Sequence, residues 1–272
     1  MSYQETANRR GESWSLEELG WSYAALGDFR RAIEYYKQGL AKNNSAYNKG
    51  RVFTSTGLAY VELGDAKQAI NYFEQSLKMS QDTGERNAEG ATLGNLGRAY
   101  IDLGEAAKAV ALCEEAVAIK RQVGHRWHEA YAVHFLGLAY AATGELDRAR
   151  TLQEEALVIT RETGDRRVEA QTLNALGEIA ILQDDQAAAF GYLERALAIA
   201  RRIEDRNGET RASWNLGHAY ERQGNLARAV GLMQVRVDYE RENGHLRAEE
   251  RAARLEQVRA QLEADGGESR AG

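Results

Sequence analysis

Residues Leu93 to Ala109 read LGNLGRAYIDLGEAAKA, and four of their positions recur along the chain. Gly97 belongs to the column Gly20, Gly57, Gly97, Gly137, Gly177 and Gly217, spaced by 37 residues once and by 40 four times. Three residues on stand Tyr23, Tyr60, Tyr100, Tyr140, Ala180 and Tyr220. Seven residues on stand Gly27, Gly64, Gly104, Gly144, Asp184 and Gly224, and twelve residues on there is always alanine, from Ala32 to Ala229. Leu93, Leu96, Tyr100 and Ile101 share one face at helical period, as do Ala109, Val110, Leu112, Cys113 and Val117. Between them Gly104 supplies a left-handed helix stop and Glu105 favours the next helix start. A second stop recurs at Gly84, Gly124, Gly164 and Gly244. Each unit therefore reads as helix, tight turn, helix, tight turn. Gly97 and Ala109 sit where the two helices must approach closely. A lone hairpin cannot bury both faces, so stacking is required.

Composition agrees. The chain has 272 residues, 43% apolar and 28% charged, and no proline, where about 5% is usual. Long helices joined by glycine turns tolerate that absence. The net charge of −6 argues against a general nucleic-acid binder, which needs a basic face. One cysteine, Cys113, precludes an internal disulfide and suits a reducing compartment. No 18-residue apolar run is present to span a membrane, and the first residues do not resemble a signal peptide. The expected setting is cytoplasmic.

The segment Leu93-x2-Leu96-Gly97-x2-Tyr100, with Ala69-x3-Phe73, resembles the tetratricopeptide repeat, whose pattern is W-x2-L-G-x2-Y, then A-x3-F, then P, at a period of about 34. Glycine turns replace the closing proline here, and the longer period implies longer helices. The long-period form is similar to the repeats of LGN/Pins adaptors, kinesin light chains and bacterial arrays; Rap-type peptide sensors carry related repeats. The resemblance implies an all-α fold, an α-α superhelix of six hairpins plus a C-terminal capping helix, whose first helices line a concave groove for an extended peptide or partner helix. The expected organisation is a polar leader over 1–12, six units at 13–49, 50–89, 90–129, 130–169, 170–209 and 210–249, a capping helix over 250–264 and a flexible tail over 265–272. Arg9-Arg10-Gly11-Glu12 echoes Arg206-Asn207-Gly208-Glu209, which predicts that the array continues upstream of Met1. The broken columns at Ala180 and Asp184 predict that the fifth hairpin opens most easily.

Carried over unit by unit, the implied groove positions include Arg51, Asn95, Arg98, Tyr131, His134, Asn174, Arg211, Trp214, Asn215 and His218. Asn95 and Asn215 share a column two residues before the glycine. An asparagine amide can donate to and accept from a peptide backbone at once, or simply tie neighbouring helices. Arg51, Arg98, Arg211 and Arg222 offer forks suited to an acidic or carboxylate-terminated peptide, unless they are solvated faces. Trp14, Trp21, Tyr131, Phe135 and Trp214 could anchor a partner or pack in the core.

Chemistry is sparse. No phosphate loop, HExxH or GxSxG is present. His128 and His134 are not helix-face neighbours, and Cys113 falls in a core column. The expectation is no enzyme, no metal and no cofactor, with a protein or peptide partner, acidic by preference, and neither nucleic acid nor membrane. An adaptor, a peptide-sensing regulatory domain and a self-associating scaffold remain alternatives at this point.

Overall fold

The computed structural model describes the backbone of residues 3–42 and 46–271, and the side chains of 11–42 and 48–265. Those residues form thirteen α-helices joined by short turns. They are α1 (Tyr3–Ala25), α2 (Phe29–Lys42), α3 (Ala46–Glu62), α4 (Ala66–Thr83), α5 (Arg86–Leu103), α6 (Ala106–Val123) and α7 (Arg126–Ala142). There follow α8 (Leu146–Thr163), α9 (Arg166–Leu182), α10 (Gln186–Arg202), α11 (Arg206–Arg222), α12 (Leu226–Asn243) and α13 (Ala248–Ala271). The fold is all-α, with helices of 17 or 18 residues from α3 to α12. Helix α1 runs through the stretch read as a polar leader. Helix α13 covers the expected cap and, through Ala271, the residues read as a tail. No proline interrupts either stretch. Met1, Ser2, Asn43–Ser45 and Gly272 lie outside the described residues.

The chain forms two compact units, Met1–Thr143 and Gly144–Gly272. Within the first, α1/α2, α3/α4 and α5/α6 pack as hairpins, and each second helix also packs on the next first helix. Within the second, α9/α10 and α11/α12 do the same, and α13 packs on α12.

The glycine column works by close approach. A Cβ on Gly57 would lie 2.5 Å from the Phe73 ring, and one on Gly177 would lie 2.5 Å from Leu193 Cγ. Gly97 faces Cys113 Sγ and Gly217 faces Met233 in the same way. Phe73, Cys113, Leu193 and Met233 occupy one column of the second helices and are fully buried. The bare backbone of one helix thus seats a fully buried side chain of its partner, as close packing demands.

Turns repeat as faithfully. The backbone N–H after each left-handed residue reaches five residues back: Asp65 to Tyr60, Glu105 to Tyr100, Asp165 to Thr160 and Asn225 to Tyr220, each at 2.9–3.0 Å. Asp65, Asp165, Asp185, Asp205 and Asn225 then cap the next helix by accepting from a backbone N–H three residues on. Two turns achieve this without glycine, at Asp184 (φ 60°) and Glu204 (φ 56°).

A clasp locks successive hairpins together. Glu129, nearly buried, takes Arg121 Nε at 3.1 Å and Arg126 at 3.0 Å. Glu169 takes Arg161 at 3.4 Å and Arg166 at 2.6 Å. Arg201–Glu209 and Arg241–Glu249 repeat the pairing at 2.8 and 3.0 Å, and Gln81 replaces the arginine opposite Glu89. The spacing Arg-x7-Glu is visible in the sequence once the register is fixed.

Candidate functional site

First helices lie side by side within each unit, so the positions they do not spend on packing form a shared face. In the first unit, Arg51 of α3 extends over the Trp21 ring of α1 at 4.5 Å and approaches the buried Glu17 at 3.5 Å. Trp21 Nε1 donates to Ser55 Oγ at 3.1 Å, and Ser13 Oγ donates to Glu17 at 3.0 Å. Arg51 itself is exposed. On α5, Asn95 and Arg98 are half-buried, and Arg98 pairs with Asp102 at 3.3 Å. On α7, Tyr131 lies between Trp127, which it meets edge-on (centroids 5.5 Å apart), and Phe135, whose ring is tilted against it (6.2 Å). The Phe135 ring tucks against α5 at Gly94, where an added Cβ would lie 3.1 Å from it.

In the second unit, an amide network joins α9 to α11. Asn215 Nδ2 donates to Asn174 Oδ1 at 3.0 Å and to Glu178 Oε1, while Asn174 Nδ2 donates to the same carboxylate oxygen at 2.9 Å. Asn215 remains half-exposed, and its Oδ1 accepts no hydrogen bond among the described residues. Arg211, Trp214 and His218 are also half-buried. The Trp214 ring meets His218 edge-on at 5.2 Å. Burial holds the His218 imidazole below its usual range, although Glu221, 3.3 Å from Nδ1, works against that shift. Arg222 bridges back to α9, donating to the Ile181 carbonyl and to Asp184.

Two expected groove residues are displaced. His134 and Asn174 are buried, at 3% and 6% exposure. They share the column three residues before the glycine with Glu17 and Gly94, both also buried. At Gly94 and Asn174 that column meets the next first helix, through Phe135 and Asn215, whereas Thr54 and Trp214 of the same column are half-buried. His134 is thus withdrawn from the open face, and Asn174 accepts from Asn215 within the seam. The column two before the glycine, holding Asn95 and Asn215, stays partly open. Sequence reasoning passed over Trp127, which is 47% exposed at the start of α7. Its spacing of four from Tyr131 and eight from Phe135 was the available signal.

Cys113 is fully buried, and burial pushes its thiol up to about 12, far from nucleophilic range. Among the described residues, no group of three His, Cys, Asp or Glu side chains is placed to hold a metal ion. No described helix is long and apolar enough to cross a membrane.

This arrangement of glycine-seated hairpins is that of a helical-repeat protein. Residues 49–122 and 128–202 match the tetratricopeptide repeat, as do 17–80 and 215–244. The chain belongs to the tetratricopeptide-repeat family. No curated protein matches the sequence at a significant level. Among solved structures, a Rap protein complexed with competence and sporulation factor is 17% identical, with a TM-score of 0.69 over 93% of this chain and 76% of that one. The Rap conjugation gene regulator of plasmid pLS20, in complex with the Phr* peptide, is 16% identical, with a TM-score of 0.69 over 97% and 78%. A putative kinesin light chain repeat array from Podosopora anserina is 24% identical, with a TM-score of 0.53 over 70% and 95%. At these identities the likeness shows the fold.

Proposed function

We propose that the chain is a protein-interaction module, an adaptor or scaffold, that holds a peptide or helix of a partner on its first helices. The observation that carries this reading is the half-exposed Asn215. Its amide nitrogen is fixed by Asn174 and Glu178, so the carbonyl oxygen is pre-oriented as an acceptor for a backbone N–H. A pre-set amide of this kind grips main chain without reading side chains. Asn95 repeats the position in the first unit, with Arg98 beside it as a cation for acidic residues. Aromatic side chains on the same helices, Trp127, Tyr131 and Trp214, supply apolar contact.

A peptide-sensing role within a larger protein is the second reading. One structure of like fold was solved in complex with the Phr* peptide and another with competence and sporulation factor. In a stack where each hairpin touches its neighbours, small changes per repeat add along the array. Small-angle scattering with and without a selected peptide separates the two readings, because only a sensor changes its dimensions.

The direct test is selection of a random dodecapeptide library on the immobilised protein, repeated with Asn95→Ala/Arg98→Glu and with Asn215→Ala. Peptides that bind the wild type and lose affinity for folded variants support the reading. Selection of nothing, or of peptides indifferent to all three changes, overturns it.

A further inference from the structure

Within the first compact unit, the later seams share a lock that the α2/α3 seam lacks. Glu89 and Glu129, eight residues before the glycine column, accept from the preceding second helix, Gln81 at 3.3 Å and Arg121 at 3.1 Å. In α3 that position holds Lys49, half-buried, so no carboxylate stands there to be clasped. The spacing differs as well. From Ala32 to Gly57 the chain has three residues fewer than from Ala69 to Gly97 or from Ala109 to Gly137, which takes out most of a helical turn beside this seam. In a stack where each hairpin is held by its neighbours alone, the loss of one lock falls on one joint.

The hairpin before that joint is well knit. The Tyr36 ring of α2 is seated on Gly20 of α1, where no Cβ fits. Tyr23 and Tyr35 stack with centroids 5.2 Å apart, and Ser13 Oγ reaches the Gly39 carbonyl at 3.1 Å. These contacts join α1 to α2 and owe nothing to α3.

Across the joint, Ala32 and Tyr36 share a buried cluster with Val52, and Ile33 shares one with Ala59 and Leu63. Lys37 Nζ donates to the Tyr60 hydroxyl at 3.0 Å on the exposed side. On the first-helix face the attachment is Arg51 of α3, whose guanidinium lies 4.5 Å from the Trp21 ring centroid and 3.5 Å from the buried Glu17 carboxylate, both on α1. A carboxylate withdrawn from water needs a cation beside it, so this contact holds more firmly than a fully exposed ion pair. Arg51 is itself exposed, so dissolved ions reach it.

We propose that the first hairpin, α1 with α2, opens and closes as one body at its seam with α3, and that Arg51 is its latch. The hairpin is shut while the guanidinium spans Glu17 and Trp21, and it is free of α3 when that contact lets go. The device needs no partner, so it stands or falls separately from the reading of the first helices as a partner-holding face.

The test is amide hydrogen exchange of the full chain, read by mass spectrometry, on the wild type and on Arg51→Met, which keeps an apolar stem against Trp21. A third measurement leaves the sequence intact and raises sodium chloride to about 1 M, where the screening length falls to about 3 Å. Amides of α1 and α2 are expected to exchange at one common rate, faster than those of α3 to α6, because a unit that opens together exchanges together. Arg51→Met is expected to raise that rate about fivefold, as loss of a cation–ring contact and a partly exposed ion pair implies, and to leave α4 to α6 unchanged. Salt is expected to raise the α1 and α2 rate of the wild type by more than it raises that of α3 and α4. Rates in α1 and α2 equal to those of α3 to α6, rates that climb gradually toward Tyr3 as in end fraying, or a common rate indifferent to both Arg51→Met and salt overturns the proposal.

Discussion

Glu204 is exposed and occupies the position where Gly84, Gly124, Gly164 and Gly244 stand in other units. Its φ of 56° matches their left-handed geometry, which glycine adopts freely and other residues adopt at a cost of about 1–2 kcal/mol. Replacing it with glycine removes that strain. Glycine also widens the unfolded ensemble, which offsets about 0.4–1 kcal/mol. The expected net effect of Glu204→Gly is a gain of about 0.5–1 kcal/mol, or roughly 2 °C in melting temperature for a unit of this size. The converse change, Gly164→Glu, isolates the backbone contribution. An added Cβ there meets nothing within 4 Å, so the folded-state cost of about 1–2 kcal/mol comes from φ, and the narrower unfolded ensemble leaves an expected net loss of about 0.5–1 kcal/mol. Urea denaturation followed by circular dichroism at 222 nm reads both. A Glu204→Gly chain no more stable than wild type, or a Gly164→Glu chain unchanged, refutes the strain argument.

Other expectations follow from the packing and the titrating groups. Gly97→Ala is expected to destabilise by about 1–3 kcal/mol, because its methyl would overlap Cys113 Sγ. Adding Cys113→Ala to that variant should recover part of the loss, and a double-mutant cycle in urea measures the coupling. His245 has an ordinary value of 6.5 and is held at about 4 in the fold, where its Nδ1 accepts from the Arg247 backbone N–H at 3.0 Å. Below pH 6.5 the unfolded chain takes up a proton that the folded chain refuses until near pH 4, so stability falls across that window by about 1.4 kcal/mol per pH unit from this group. His245→Gln should flatten that slope in urea titrations run from pH 7 to pH 4. Hydrogen exchange tests the expectation about the fifth hairpin, with faster exchange across Gln171–Arg201 than across the third unit supporting it and equal protection removing it.

Most of the fold was legible because its constraints are local and repeat. Only a residue without a side chain fits against Phe73 or Leu193, and only a few residues tolerate left-handed turns, so both demands print glycine at fixed spacing. The hairpin boundaries follow from those stops. The irregular fifth unit reads differently once packed. Asp184 and Glu204 strain its turns, yet Leu173, Leu176, Ile179 and Leu193 are among the most buried side chains in the chain. Of the two broken columns, Asp184 marks a strained turn, while Ala180 is fully buried within α9. The face was legible only in part. Helical period places His134 and Asn174 toward the groove, but whether a position opens to solvent or closes into the seam depends on how tightly neighbouring first helices approach, and no periodicity encodes that distance.

Site-specific photocrosslinking distinguishes a partner held by first helices from one held by second helices. A benzophenone amino acid replaces Asn95 or His218 on first helices, and Glu115 or Arg195, both exposed, on second helices. Each chain is irradiated with the library-selected peptide at a saturating concentration. Covalent adducts are expected from the Asn95 or His218 positions and none from Glu115 or Arg195. Adducts confined to the second-helix positions would contradict it.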